Sequence, residues 1–376
     1  METVLKTNTH KTVRIAYVVN RFDTGGVKSL LMNYFRYIDH EKFEIDFLIC
    51  GGALGRSDLL EIEERGGRVV VLRSPSNPVG YVYDCMQALQ DGRYDIVQAC
   101  MNSMNVLPLL AAKMSGVPVR ISYNLSTSHP GERNTVIKAI FRKFGNAFTT
   151  GRTANSQLAW DWLFKEDGRV DRVIIPNPIN LDVFHFDAEL RASVRVEMGW
   201  NGCFVIGHIG RFEYQKNHRF LLKVFEETLR REPNARLALV GYGSSKEGFF
   251  ADVNRSGLSD FVCDLGATED ISGLYNAFDC FVLPSFYEGF PVVALEAQAT
   301  GCPCVFSTEV TKEAGVIEQV KFLSLSESPS RWADTVLGFK SSQRQDGSAM
   351  VMQQGYEVEE AARELEQYYL RSLRIL

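Results

Sequence analysis

The sequence has few of the features that assign a chain to a specialised class of protein. Its eight cysteines are scattered, with no C-x-x-C pair and no histidine at a spacing that suits zinc. Cys302 and Cys304 flank a proline, but residues two apart on a strand point to one face, which favours strand packing over metal binding. We therefore expect buried free thiols and no metal site.

A long apolar run is also absent. Residues 1–12 are polar, and the apolar run at residues 13–19 is interrupted by Arg14 and is about as long as one strand. This run is too short for the core of a signal peptide or for a membrane span. We therefore expect a cytoplasmic protein, with contact at the inner face of the plasma membrane as the alternative to a fully soluble one.

The sequence has no strong excess of positive charge. Its net charge is -5, with 22 Lys and Arg against 19 Asp and Glu in residues 1–185, and 19 against 27 in the remainder. A nucleic-acid partner would call for a strongly basic face, so none is expected. The slightly basic first half is compatible with a domain that rests on an anionic surface.

The pattern that is present is that of a two-domain α/β protein. A chain of 376 residues exceeds the usual size of one hydrophobic core. Short runs rich in Val, Ile and Phe alternate with longer amphipathic stretches, which predicts parallel sheets covered by helices. The predicted strands are residues 13–19, 43–50, 68–72, 94–100 and 117–123, followed by residues 204–210, 236–241, 261–266, 280–285 and 303–307.

Two further segments complete the predicted organisation. Residues 174–184 contain two prolines and two asparagines, which indicates a linker between the two series of strands. Residues 358–373 place apolar side chains at helical spacing and predict a closing helix. The predicted domains are residues 1–185 and 186–355, two Rossmann-like units that face one another across a cleft, with residues 356–376 as a C-terminal helix packing toward the first.

Glycines and cations follow several predicted strands, at the edge where parallel sheets bind ligands. Gly25 and Gly26 follow the first strand, where they would let backbone approach a phosphate or sugar, although a tight turn accounts for them equally. Arg211 and Lys216 follow the first strand of the second series and suit a diphosphate, with a solvated surface as the alternative. Gly241 ends the next predicted strand. Taken alone, this glycine is only a weak indication of a ligand site.

The segment 284–296 carries the strongest signal. Glu288 lies in the loop after an apolar strand, Gly289 permits close approach of backbone, and Pro291 suits the first turn of a helix. Glu296 lies about one and a half turns inside that helix. Either carboxylate alone would be taken as an ordinary surface group. Their arrangement favours a ligand whose phosphate meets the helix N-terminus and whose sugars bond both carboxylates.

These segments resemble glycosyltransferase family 4, the retaining enzymes of the GT-B fold. Glu288 and Glu296 match its E-x7-E motif within SFYEGFPVVALEAQATGCPCV, and GRFEYQKNH resembles its phosphate-binding G-R-[FL]-x-x-x-K-[GN]. VGYGS resembles the donor-side V-G-x-G, and PNPINLDVF the interdomain P-N-G-[VI]-D-x-x-x-F. The motifs occur in the family's order over most of the chain. The resemblance implies the two-domain GT-B architecture, with the C-terminal helix closing back on the first domain.

The resemblance also implies the roles of individual residues. It implies a nucleoside-diphosphate sugar as donor, UDP-linked, and no cofactor; the missing D-x-D motif agrees with chemistry that needs no metal. Arg211 and Lys216 would bind the diphosphate, and Glu288 would lie near the sugar hydroxyls; these three are the predicted catalytic residues. The other donor-side residues are Gly241, the backbone of Gly289, Phe290, Pro291 and Val292, then Glu296 on the ribose, and Leu265 and Gly266 beside the base.

Two positions depart from the family pattern. The usual G-G-x-E is Gly25-Gly26-Val27-Lys28 here, with lysine in place of glutamate. The family commonly carries a histidine near the end of the fifth strand, whereas this chain has Ser122-Tyr123-Asn124-Leu125-Ser126 there. His129, a few residues on, either takes that place or is a loop residue without a role.

The acceptor is expected against the first domain. Residues 133–148 interleave Arg133, Lys138, Arg142 and Lys143 with apolar residues, so the stretch either lies on anionic lipid or packs its apolar side into the core. Membrane contact would suit a polyprenyl-diphosphate-linked acceptor. The sequence resembles bacterial exopolysaccharide and capsule enzymes in GGVKSLLMNYFRYIDHEKFEIDFL, AAKMSGVPVRISYN and ANSQLAWDWLF. This resemblance implies a glycosyltransferase acting on a glycan or lipid-linked acceptor. The alternatives are a non-catalytic sugar-nucleotide-binding protein and a GT-B epimerase.

Overall fold

The computed structural model describes residues 12–22, 26–51, 54–127, 135–166, 168, 172–268 and 270–374, with backbone alone at 135–138. The strands of this part of the chain are β1 Val13–Val19, β2 Phe43–Ile49, β3 Val69–Val71, β4 Ile96–Ala99, β5 Val119–Asn124, β6 Gly151–Ala154, β7 Val173–Ile174, β8 Phe204–Ile209, β9 Ala235–Val240, β10 Val262–Asp264, β11 Cys280–Leu283, β12 Cys304–Ser307 and β13 Val320–Leu323.

Helices separate nearly all of these strands. They are α1 Gly26–Tyr37, α2 Arg56–Glu64, α3 Pro78–Gly92, α4 Val106–Met114, α5 Thr135–Arg142, α6 Gln157–Leu163, α7 Ala188–Glu197, α8 His218–Arg231, α9 Lys246–Arg255, α10 Ser272–Ala277, α11 Val292–Ala299, α12 Pro329–Leu337, α13 Ser348–Gln353 and α14 Val358–Arg374. Short 3-10 turns occur at Asn102–Asn105, Tyr214–Lys216 and Lys312–Ala314.

Both sheets are parallel and have the same strand order. The first runs β3-β2-β1-β4-β5-β6-β7 and the second β10-β9-β8-β11-β12-β13. Each begins with the 3-2-1-4-5-6 order of a Rossmann fold, in which ligands bind where the order reverses. In the first sheet that point lies between β1 and β4, and in the second between β8 and β11. The predicted α/β architecture with two Rossmann-like domains is therefore confirmed.

Each sheet is covered by apolar side chains on both faces. The first domain has one core around Tyr17, Phe35 and Phe47 and another around Tyr81. The second domain likewise has two separate clusters, one on each face of its sheet. Burial on both sides explains why the central strands are continuous apolar runs rather than alternating ones.

The ten predicted strands are present, with ends that differ by up to two residues, but the prediction missed β6, β7 and β13. The β6 sequence Gly-Arg-Thr-Ala has no apolar run, yet all four residues are buried, with Arg152 2% and Thr153 0% exposed. Tertiary surroundings place this polar segment in a sheet, which local propensity does not anticipate. Of the two residues of β7, Ile174 falls within the segment predicted to be the linker, and Val173 directly precedes that segment.

The C-terminal helix α14 returns to the first domain, as predicted. Ala361, Leu365 and Tyr369 of this helix lie in the core of the first domain. The Tyr369 hydroxyl donates to Gln98 Oε1 at 2.9 Å and lies 2.9 Å from the hydroxyl of Tyr17 on β1. The chain thus crosses between domains twice. The limits 185/186 and 355/356 stay a prediction.

The two crossings run side by side. Ile179 in the linker forms a parallel bridge with Glu357, the residue before α14, and Ile179 N donates to Tyr356 O at 2.9 Å. The hydroxyl of Tyr34 on α1 donates to Pro176 O at 2.6 Å. The two crossing segments are therefore bonded to each other, and the linker is also bonded to α1 of the first domain.

All eight cysteines are free thiols. Cys302 and Cys304 are buried in one core cluster, but β12 begins at Cys304, so packing is confirmed for both residues and the strand for Cys304 alone. Of the other cysteines, Cys50, Cys203 and Cys263 are only partly buried. Within the described ranges, no helix combines the length and the apolar composition that crossing a membrane requires.

Replacing Leu365 by alanine should test how far α14 belongs to the first domain. Leu365 is 1% exposed, so Leu365→Ala should lower the free energy of unfolding by about 2 to 5 kcal/mol. Leu60→Ala is the matched control, because Leu60 is 47% exposed on α2 and should change it by less than about 0.5 kcal/mol. Urea denaturation followed by circular dichroism measures both. Equal losses in the two variants would contradict the packing described.

Candidate functional site

An ion pair joins the exits of two adjacent strands of the second sheet. Lys216 lies in the turn after β8, and Glu288 lies in the loop after β11; their Nζ and Oε1 atoms are 2.7 Å apart. Both side chains are largely buried, with 14% and 8% exposed. The strand-order reversal of this sheet lies between the same two strands. The structure thus brings together two of the three residues predicted to be catalytic.

Two further side chains hold the Glu288 carboxylate. Ser285 Oγ donates to Oε1 at 2.8 Å, and Gln215 Nε2 donates to Oε2 at 2.9 Å. Gln215 Nε2 also donates to Tyr287 O at 2.9 Å, and Phe286 N donates to Gln215 O at 2.8 Å. These bonds tie the turn after β8 to the loop after β11. Sequence reasoning missed Gln215 and Ser285, although both lie beside residues that it singled out.

Arg211 lies on the same edge but does not join the ion pair. It is exposed, and its guanidinium forms no hydrogen bond or ion pair with the residues that the structure describes. Lys216 lies against the backbone of Gly210, the residue before Arg211, since a Cβ built at Gly210 would lie 3.1 Å from Lys216 Cε. A third cation of this edge, Lys246, pairs with Asp264 at 2.7 Å and donates to Gly241 O at 3.2 Å. Of these three cations, Arg211 is the one exposed to solvent.

The glycines after β9 and β10 meet on this edge. Gly241 N donates to Gly266 O at 2.6 Å, and Leu265 beside it is partly buried. Gly241 has φ +150°, and a Cβ there would lie 2.1 Å from the carbonyl oxygen of Gly210. Only glycine fits such a contact without a shift of backbone. The predicted donor-side residues Gly241, Leu265 and Gly266 thus lie together.

The donor loop, defined here as residues 284–291, leads into α11. Pro291 is the N-cap residue of this helix, and no side chain among the described residues caps it. Ala294 N donates to Pro291 O at 3.0 Å, so the N–H groups open to an anion are the two before it, those of Val292 and Val293. Phe290 is buried and packs against Tyr356 at 5.1 Å between ring centroids. A Cβ at Gly289 would lie 2.2 Å from Leu125 O, so this glycine contacts backbone of the first domain.

Glu296 lies inside α11 and is buried, with 8% exposed. Burial raises the pKa of its carboxyl to about 7, although a hydrogen bond from Tyr275 opposes the shift. The Tyr275 hydroxyl donates to Glu296 Oε2 at 2.8 Å. A carboxylate poised between its two protonation states near neutral pH is typical of a functional site. No sequence signal pointed to Tyr275.

Two buried histidines lie behind the cation site. His208 Nδ1 lies 2.8 Å from Val282 O, and the ring of His218 stacks on Phe212 at 4.1 Å. Burial lowers the pKa of His208 to about 4, with the charge of Lys216 adding to the effect. Burial, then His208 and Lys216, lower the pKa of His218 to about 2. Both rings are therefore neutral at physiological pH and add no charge to the site.

The first-domain side of the predicted site is described in part. Gly26 begins α1 and is exposed, whereas Gly25 and His129 lie outside the described residues. Lys28, which replaces the family's glutamate, forms an ion pair with Asp58 of α2 at 2.5 Å. Its positive charge is therefore balanced within the first domain.

The fold and the site define the class of protein. Two facing Rossmann-like domains with a helix returning to the first are the GT-B architecture, and residues 203–339 match the family described as glycosyl transferases group 1. The chain is 32% identical to the protein named glycosyltransferase EpsF of Bacillus subtilis (strain 168) over 337 residues, 86% of each chain. The chain belongs to the glycosyl transferases group 1 family and is a glycosyltransferase.

Other similar proteins have more specific names. The chain is 26% identical, over 80% of each chain, to the UDP-Gal:alpha-D-GlcNAc-diphosphoundecaprenol alpha-1,3-galactosyltransferase of Escherichia coli. It is 23% identical to the capsular polysaccharide biosynthesis glycosyltransferase CapH of Staphylococcus aureus, covering 86% of this chain and 90% of CapH. HepE of Anabaena, solved in complex with UDP and glucose, has a TM-score of 0.78 at 18% identity, covering 95% of this chain and 99% of HepE.

The raised pKa of Glu296 predicts how stability depends on pH. Its folded value, about 7, exceeds the ordinary 4.5, so the folded chain binds more protons in that window. Stability should therefore fall as pH rises from about 4.5 to 7, by at most on the order of 3 kcal/mol from this group. Glu296→Gln should remove this contribution to the pH dependence. The free energy of unfolding of the variant should therefore rise relative to that of wild type as pH rises.

Urea denaturation of both proteins across that pH range measures the effect. Glu309→Gln is the matched control, because Glu309 is exposed and should leave the pH profile unchanged. Parallel profiles for wild type and Glu296→Gln would show that Glu296 is not protonated in this range.

Proposed function

We propose that the chain transfers a sugar from a UDP-linked donor to a glycan or polyprenyl-diphosphate-linked acceptor, with retention, in exopolysaccharide or capsule synthesis. The observation that carries the proposal is the contact of Lys216 with Glu288 beside the uncapped start of α11. A cation, a carboxylate and free N–H groups there suit the three parts of a sugar diphosphate: its charge, its hydroxyls and its phosphate oxygens.

The donor is proposed to bind along the edge formed by β8, β9, β10 and β11. Lys216 and the exposed Arg211 would bind the diphosphate, and Glu288 would accept hydrogen bonds from sugar hydroxyls. Glu296 would bond the ribose, and the backbone at Leu265 and Gly266 would face the base. UDP in the HepE structure and the UDP-Gal donor of the Escherichia coli relative support a uridine nucleotide.

The chemical step is proposed to depend on charge stabilisation. As the bond between the sugar and the diphosphate breaks, negative charge grows on the leaving phosphate. Lys216, Arg211 and the N-terminus of α11 would stabilise that charge without a metal ion. The acceptor hydroxyl would then attack from the face that the diphosphate leaves and pass its proton to the departing diphosphate oxygen, which retains the configuration of the sugar. The proposed absence of a cofactor stays a prediction.

Replacing Lys216 should slow transfer in a protein that still folds, because Ser285 and Gln215 continue to donate to the Glu288 carboxylate. Loss of one such charge contact costs about 2 to 4 kcal/mol in the transition state, so Lys216→Ala should lower kcat/KM by roughly 30- to 900-fold. The donor is first identified by screening nucleotide sugars for thermal stabilisation. Lys223→Ala is the matched control, because Lys223 is exposed on α8. Near-normal turnover by a folded Lys216→Ala protein would remove Lys216 from the mechanism.

The acceptor is proposed to reach the first domain from a membrane surface through residues 133–148. Arg133 and the side chain of Lys138 lie outside the described residues. Among the described side chains of this stretch, Ile140 and Phe144 are 52% and 53% exposed. The basic side chains beside them, Arg142 and Lys143, are exposed as well. Phe141, by contrast, packs against a core cluster. The stretch thus has an outward apolar and basic side suited to anionic lipid. The lipid-linked acceptor of the Escherichia coli relative agrees with this arrangement.

Phe144→Ala tests the membrane contact. If Phe144 enters the lipid, its loss should reduce binding to vesicles containing phosphatidylglycerol by roughly tenfold, since burying an aromatic side chain contributes about 1.5 to 3 kcal/mol. Tyr83→Ala is the control, because Tyr83 is 57% exposed on α3, outside this stretch. Sedimentation with vesicles measures the bound fraction. Equal binding by both variants, or binding that ignores anionic lipid, would contradict the proposal.

A further inference from the structure

Three consecutive carbonyl groups of the donor loop accept hydrogen bonds from side chains of the first domain. The bonds run from Thr127 Oγ1 to Glu288 O at 3.4 Å, from Ser156 Oγ to Gly289 O at 3.1 Å, and from Asn177 Nδ2 to Phe290 O at 2.9 Å. The three donors follow β5, β6 and β7, three neighbouring strands of the first sheet. One edge of the first domain therefore holds the loop residue by residue.

The contact between loop and first domain leaves no space at its centre. A Cβ at Gly289 would lie 2.2 Å from Leu125 O and 2.8 Å from Ser126 Cα, distances that side chains essentially never show. The two backbones are therefore in direct contact. This backbone contact and the three hydrogen bonds together set the distance between the donor loop and the first domain.

The two shorter bonds come from buried side chains. Ser156 is 0% and Asn177 5% exposed. Ser156 Oγ also accepts from Ala159 N as the N-cap of α6, which orients its hydroxyl hydrogen toward Gly289 O. Among the described residues, Asn177 Oδ1 has no partner, so the bond to Phe290 O is what orients this amide. Loss of the loop contact would leave both buried groups without acceptors.

The other side of the same loop bears the donor chemistry. The Glu288 side chain points to Lys216, and α11 begins directly after Pro291. Residues 288–290 thus face the first domain through their carbonyls while the flanking groups face the proposed donor. Any shift of the loop moves Glu288 and the start of α11 together.

We propose that Ser156 and Asn177 are positioning residues, which hold the donor loop of the second domain in its donor-binding geometry when the two domains are closed. The inference rests on the proposed function, since it assigns the loop to the donor. Opening of the domains breaks the bonds to Gly289 and Phe290 together. The donor site is then complete in the closed arrangement and loosened in the open one, although neither residue touches the donor.

Hydrogen exchange of the ligand-free, full-length protein tests the positioning without a donor. Asn177→Asp keeps the shape of the side chain but removes the N–H that bonds Phe290 O, and Ser156→Ala removes the other hydroxyl. Both should speed exchange in a peptide covering residues 284–296 by at least about tenfold, while residues 13–19 of β1 exchange as in wild type. Asn177→Ala serves if Asn177→Asp does not fold.

Asn146→Ala is the matched control for exchange. Asn146 Nδ2 donates to Lys165 O at 2.8 Å, a bond of the same kind that stays within the first domain. This variant should leave the 284–296 peptide at the wild-type rate. Unchanged exchange of that peptide in folded Ser156→Ala and Asn177 variants would overturn the proposal, and so would equal acceleration in Asn146→Ala.

Titration with UDP separates this inference from the proposed function. Ser156→Ala and Asn177→Asp should weaken UDP binding by about tenfold, because they act on loop position. Ser156→Ala also removes the N-cap of α6 and should lower the melting temperature of the ligand-free protein by a few degrees, so binding is measured at a temperature at which every variant is folded. Accelerated exchange together with wild-type UDP affinity would overturn positioning of the donor site. Failure of the wild-type protein to bind UDP would refute the proposed donor, and the exchange result would still decide whether Ser156 and Asn177 hold the loop.

Discussion

The site depends on one partly buried contact, the ion pair between Lys216 and Glu288. It joins the exits of β8 and β11, which lie far apart in sequence and adjacent in the sheet. Because both groups are largely removed from water, either one left alone would be an uncompensated charge, so each holds the other in place. An anionic ligand offers Lys216 a second partner, and Ser285 and Gln215 keep the carboxylate held when that happens.

The ion pair lies where the two domains meet, since Thr127 of the first domain donates to the backbone carbonyl of Glu288. The donor loop belongs to the second domain, yet its backbone is bonded by the first. The linker and the residue before α14 pair with each other, so the chain crosses between domains twice along one line.

Two buried carboxylates on the same edge have different surroundings. Glu288 accepts hydrogen bonds from Gln215, Lys216 and Ser285. Tyr275 donates to Glu296, and burial raises the pKa of the Glu296 carboxyl. Burial also lowers the pKa of the two histidines near Lys216, and the positive charge of Lys216 lowers it further, so both rings are neutral. Since neither histidine is charged, the cations that the structure describes on this edge are Lys216, the exposed Arg211, and Lys246, which pairs with Asp264 and donates to Gly241 O.

The sequence by itself determined the two-domain α/β class, the alternating strands and the loop with Glu288 and Glu296, because apolar periodicity and glycine or proline positions are local properties of the chain. It missed β6, whose polar residues are buried by their neighbours, and it did not indicate Tyr275, Ser156 or Asn177. Tertiary structure alone decided which strand exits meet, that Lys216 rather than Arg211 pairs with Glu288, and that Gly289 contacts the first domain. These are contacts between residues distant in sequence, and no local pattern specifies which distant atoms come within hydrogen-bond reach.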